Sequence, residues 1–89
     1  MNQLRQALQI VESWKEGRVV EFSFNGGDIY RYTDFEMVDE SIYDNDNLCV
    51  AVLLNAEGIR ASGMIQFDIR EIIKVVDVEN DLVLYDSKS

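Results

Sequence analysis

The stretch VVEFSFNGGDIYRYTDFEMVDES, residues 19–41, decides the fold, because it holds two strands, the turn that joins them and a break in phase. Val20, Phe22 and Phe24 alternate with Glu21 and Ser23, the period of a half-buried strand. The Asn25-Gly26 pair supplies the positive φ angles of a two-residue hairpin turn. In the second strand Tyr30 and Tyr32 have even parity while Phe35 and Met37 have odd parity, so a straight strand cannot bury both pairs on one face. The sequence therefore predicts a β-bulge or sharp bend near Thr33, the device by which small barrels turn their corners.

Working outward, Leu4, Ala7, Leu8, Val11 and Trp14 fall at helical spacing and predict an amphipathic helix over 3–15, with Asn2 and Gly17 as its caps. SIYDNDN, residues 41–47, is turn chemistry. LCVAVLL, residues 48–54, reads as a strand covered on both faces, and NAEG then reverses the chain. IRASGMIQFDI alternates Ile59, Ala61, Gly63, Ile65, Phe67 and Ile69 against polar positions; Gly63 marks a bend or a close approach of another backbone. DIREI predicts a single helical turn, and two short strands follow it.

The 89 residues fit one domain, 1–89, mainly β (α+β by count): the N-terminal amphipathic helix packs on a small, strongly bent antiparallel β-barrel of about five to six strands over 18–85, and a frayed tail spans 86–89. The expected core is Leu4, Leu8, Val11, Trp14, Val20, Phe22, Phe24, Leu48, Val50, Val52, Ile65, Phe67, Ile69, Ile72 and Val75. Hydrophobic residues make up 47 % of the chain, enough to favour a packed domain over disorder.

A helix, then bent antiparallel strands beginning VVEFSFNGG, then SGMIQFDI and a one-turn helix before a late strand, resemble the small SH3-like and Sm-like barrels. The resemblance implies the fold. It does not carry over the Sm-like RNA site, because Asp34 is followed four residues later by Val38 where that family has Asn, and Gly63 is preceded by Ser62 where it has Arg.

Eight basic residues stand against 17 acidic ones, a net charge of −9, and the bases are scattered. That disfavours nucleic acid as a direct partner, since phosphate recognition needs clustered Lys and Arg. No apolar run is long enough for a membrane span, the first residues lack signal-peptide character, and Cys49 has no disulfide partner in the chain; the expectation is a cytoplasmic protein. Catalysis, metals and cofactors are not expected: there is no histidine, one cysteine cannot make a zinc site, and DNDN lacks the rest of a calcium loop.

Between residues 34 and 46 stand six acids and no base. Asp34, Glu36, Asp39, Glu40, Asp44 and Asp46, with Tyr43 among them, are the candidate partner-binding residues, read either as a solvated edge that prevents strand association or as a surface for a basic protein. The function this predicts is a noncatalytic protein-binding module, an inhibitor, adaptor or subunit; the alternative is an acidic mimic of nucleic acid, as in phage-encoded inhibitors, and a third reading is an Sm-like oligomer without the RNA site. IRASGMIQF and DLVLY are the edge strands through which copies would associate.

Overall fold

The computed structural model describes residues 3–14, 18–38, 48–55 and 57–88. In chain order these form α1 (Gln3–Glu12), β1 (Val20–Phe24), β2 (Ile29–Met37), β3 (Leu48–Leu54), β4 (Arg60–Asp68), a one-turn 3-10 helix (Ile69–Glu71), β5 (Ile72–Asp77) and β6 (Leu82–Asp86). The strands make one antiparallel sheet of order β4-β3-β2-β1-β5-β6.

The helix buries Leu4, Ala7, Leu8 and Val11, the stripe its spacing predicts. It ends at Glu12 rather than near Lys15. Ser13 turns its hydroxyl onto the Ile10 carbonyl (2.6 Å), a local bond that competes with helix continuation. The proposed caps, Asn2 and Gly17, lie outside the described residues. α1 rests against β2 and β6.

The β1–β2 hairpin forms with Val20 opposite Tyr32 and Ser23 opposite Ile29. Its turn differs from the two-residue form expected of Asn25-Gly26. Phe24 N–H donates to the Asp28 carbonyl (2.8 Å) and Gly27 N–H to the Phe24 carbonyl (3.0 Å), so the loop is three residues long, and it is Gly27 that takes positive φ, 92°. The β3–β4 reversal repeats this bonding between Asn55, Gly58 and Ile59, with Gly58 at φ 80°.

The predicted break in β2 is present. Thr33 pairs with Val52 and Glu36 with Val50, three steps on β2 against two on β3, and Asp34 adopts φ 54°. The extra residue lets Tyr32 and Phe35 both enter the core although their parities differ.

The core also holds Val20, Phe22, Cys49, Ala51, Ile69, Ile72 and Val75. In β3 Cys49, Ala51 and Val52 are buried, while Leu48 and Val50, expected inside, are half-buried, as is Ile65 on β4. Small side chains fit there because the sheet curls tightly enough to bring rings across it. Phe22 on β1 and Phe67 on β4 are three strands apart, about 14 Å on a flat sheet. Their ring centroids nevertheless lie 5.6 Å apart. Trp14, Phe24 and Phe67 of the expected core pack against it half-buried.

No ladder among the described residues joins β4 to β6, so the sheet is established as curved and open, and closure into the expected barrel is not shown. Among the described residues, both segments expected to be edge strands lie at the edges of the sheet. The register slips by two residues in β4 between Arg60 and Met64, and no atom comes within 4 Å of a Cβ placed on Gly63, so that glycine sits at an irregularity and not at a close backbone approach. Along the start of β4 Arg60, Ala61, Gly63 and Met64 are exposed, Met64 at 60 %. The one-turn helix forms where DIREI predicts it, capped by the Asp68 carboxylate accepting from Arg70 N–H (2.8 Å). Strand pairing extends into the segment expected to fray: β6 runs to Asp86, and Ser87 N–H donates to the Ile73 carbonyl (2.9 Å).

Candidate functional site

The hairpin tip carries a Phe as the last residue of β1, with only Asn25, Gly26 and Gly27 beyond it, so no neighbouring side chain on the loop is large enough to cover that ring. Around it the fold assembles Tyr30 and Tyr32 from β2 and Phe67 from β4. Phe24 meets Phe67 at 5.5 Å and Tyr32 at 6.3 Å edge-on and Tyr30 at 6.1 Å in a tilted contact, while Tyr32 stacks on Phe67 at 5.0 Å with 28° between the planes. These offset and edge-on geometries are those that aromatic rings prefer.

The four rings line an open groove of about 440 Å³, completed by Asn25, Gly26, Asp28 and Glu71. Asn25 N–H donates to the Glu71 carbonyl (2.8 Å), which fixes the hairpin tip against the one-turn helix and so sets the distance between the two walls. Tyr32 is buried, and burial, aided by the neighbouring Tyr30 and Cys49 groups, pushes its phenol up to about 12. It therefore stays neutral at physiological pH. Tyr30, in contrast, keeps 42 % of its surface in solvent.

Charge in the groove has one sign. Among the described residues, Asp28 and Glu71 are its ionisable residues besides the tyrosines, and no Lys or Arg lines it. Arg70, next to Glu71, is held by the Asp68 carboxylate through Nη2 at 2.6 Å and Nε at 3.0 Å. A larger depression of about 530 Å³ adjoins it at Tyr30, but there the Arg31 guanidinium already meets Glu21 at 3.1 Å and the remaining walls are mostly aliphatic. Ring density and unbalanced charge coincide in the aromatic groove.

The two described acidic candidates, Asp34 and Glu36, do not line this groove. Asp34 is half-buried at the bulge and, with Val11, Trp14, Arg18, Val20, Thr33 and Phe35, bounds a small cavity of about 20 Å³. Glu36 is exposed farther along β2, six residues or roughly 20 Å from Tyr30. Asp39, Glu40, Tyr43, Asp44 and Asp46 lie outside the described residues. Phe24, Asp28, Phe67 and Glu71 were not among the candidates; the available signal was a large ring separated by one residue from a pair of glycines.

A second polar cluster lies at the far end of β1. Arg18 stacks over Trp14, 4.3 Å from guanidinium carbon to ring centroid, while its Nη2 reaches Asp77 at 2.7 Å and its Nε lies 3.2 Å from Glu79. Asn80 adds a side-chain hydrogen bond to Asp77 at 2.9 Å. Burial raises the Asp77 carboxyl, but the bonds from Asn80 and Arg18 outweigh it and hold the group below its ordinary value. Thr33 Oγ1 donates to the Arg18 carbonyl at 3.3 Å, tying the cluster to β2.

Among the described residues no three His, Cys, Asp or Glu side chains converge as metal ligands, and no helix is long and apolar enough to cross a membrane. No family model matches this chain, and comparison with characterised proteins and with solved structures finds no match to either.

Proposed function

We propose that the protein is a noncatalytic protein-binding module and that the aromatic, acid-rimmed groove is its contact surface. The observation that carries this reading is the convergence of Phe24, Tyr30, Tyr32 and Phe67 on one open groove with Tyr30 left exposed. Rigid aromatic rings supply large contact area at low entropic cost, and interface centres are enriched in them. Within the same proposal the curved sheet belongs with the small SH3-like and Sm-like barrels, supported by the leading helix, the bulged β2 and the one-turn helix before β5.

Two variants test it against the acidic-stretch alternative. Wild-type protein immobilised in an extract of its source cells retains a partner; Tyr30→Ala, melting as the wild type does, loses that partner. A fourfold variant, Glu36→Gln with Asp39→Asn, Glu40→Gln and Asp44→Asn, retains it. If the fourfold variant releases the partner and Tyr30→Ala does not, the acidic stretch is the site and the groove is not.

A second reading, self-association, is favoured by the open edges: Ile59 and Met64 beside or on β4 and Leu82 and Val83 on β6 are exposed. Sedimentation showing only monomer at high concentration excludes it.

A further inference from the structure

We propose that the aromatic groove accepts an arginine side chain carried on an extended segment of the partner protein; this rests on the reading of the groove as the contact surface. The chain itself shows the chemistry. At Arg18 it surrounds a guanidinium with one aromatic face, Trp14 at 4.3 Å, and two carboxylates, Asp77 at 2.7 Å and Glu79 at 3.2 Å.

The groove brings together the same kinds of partner, the rings of Tyr30, Phe24 and Phe67 and the acidic residues Asp28 and Glu71, with no Lys or Arg among the described residues that line it. A guanidinium suits this set better than an ammonium because it is flat, weakly hydrated and able to bond a carboxylate along its edge while its face lies on a ring. Glu71 is the principal anion. Asp28 also borders a neighbouring depression that carries Lys74 and Lys88, so its charge is shared, whereas Glu71 is not part of that depression's lining.

At about 440 Å³ the groove exceeds one guanidinium, which assigns the rest of the space to the side-chain stem and flanking backbone and makes the ligand a peptide segment. Nucleic-acid bases also stack on aromatic platforms, but they arrive with phosphates that the two rim carboxylates repel.

The test follows amide shifts of the isotopically labelled full chain on adding three pentapeptides, Gly-Gly-X-Gly-Gly, with X arginine, lysine or citrulline. The arginine peptide shifts the amides of Asn25, Tyr30 and Glu71. The lysine peptide binds several-fold more weakly, and citrulline, a neutral isostere, binds roughly tenfold more weakly, as expected for loss of a charge-assisted hydrogen bond. Glu71→Gln weakens the arginine peptide by a similar factor while the rest of the spectrum is unchanged, since the backbone carbonyl that holds Asn25 remains. Equal binding by the citrulline or lysine peptide overturns the arginine assignment and leaves the groove as a peptide site. Groove shifts with oligothymidylate but with none of the peptides, or no shift with any ligand at millimolar concentration, overturn the arginine assignment and the groove reading together.

Discussion

Arg18 and Asp77 are 59 residues apart in the chain, and the guanidinium Nη2 of the first lies 2.7 Å from the carboxylate of the second. Asp77 is only 2 % exposed, so the pair ties the entry of β1 to the end of β5 across the sheet, with Trp14 stacked on the guanidinium. Asp77→Ala strands a buried guanidinium edge and the Asn80 amide, and lowers stability by roughly 1–3 kcal/mol. Arg18→Lys keeps the charge but loses the planar stack and the forked geometry, and falls between wild type and Asp77→Ala. Urea unfolding followed by Trp14 fluorescence measures both.

The same pair sets the acid limb of stability. The Asp77 carboxyl is held below its ordinary value of about 3.9 in the folded state. Its contribution is therefore complete above that value and lost as pH falls through the lower folded one. Asp77→Asn flattens this limb in a series of melts from neutral to acid pH. Tyr32 sets the alkaline limb with the opposite sign: its phenol moves from 10.0 to about 12 on folding, so its contribution is complete below pH 10 and lost as pH rises toward 12. Phenolate absorbance shows a late-titrating component that is missing in Tyr32→Phe.

Asp34 at φ 54° is the pivot of the bulge. Asp tolerates the left-handed region and a β-branched residue does not, so Asp34→Val costs about 1–2 kcal/mol while Asp34→Gly leaves stability equal or slightly higher. If Asp34→Val melts at the wild-type temperature, the strand is not held by this conformation.

Cys49 is fully buried, its Sγ donates to the Phe67 carbonyl at 3.4 Å, and burial pushes its thiol far above the ordinary range. The native protein therefore reacts negligibly with a disulfide reagent at pH 8, and a full equivalent reacts once denaturant is added. Rapid reaction in the absence of denaturant contradicts the placement of Cys49.

Phe22 and Tyr30 are register partners in the hairpin, yet substitution separates them. Phe22 is fully buried among Phe24, Tyr32, Phe35 and Phe67, and Phe22→Ala costs about 3–5 kcal/mol. Tyr30→Ala, at a largely solvated ring, costs about 1 kcal/mol or less, which is what makes it a usable probe of binding. Thermal melts of the two variants check the contrast.

The sequence by itself determined the parts of this protein that depend on local periodicity. The stripe Leu4, Ala7, Leu8 and Val11 makes a helix that buries one face, and the parity conflict between Tyr30/Tyr32 and Phe35/Met37 requires the bulge found at Asp34. Asp68 and Arg70 place the one-turn helix, and tight turns set the β1–β2 and β3–β4 pairings, whereas the β1–β5 pairing joins strands that no turn connects. Tertiary structure alone decided which glycine of Gly26-Gly27 takes positive φ, because that depends on the register in which Phe24 meets Asp28. It also decided that Cys49 and Ala51 face inward, since in LCVAVLL both parities are apolar and periodicity cannot choose between them. The groove belongs to the same category. Phe24, Tyr30, Phe67 and Glu71 come from four elements that share no local pattern, and only the curl of the sheet brings β4 to the hairpin tip and closes the distance between their side chains.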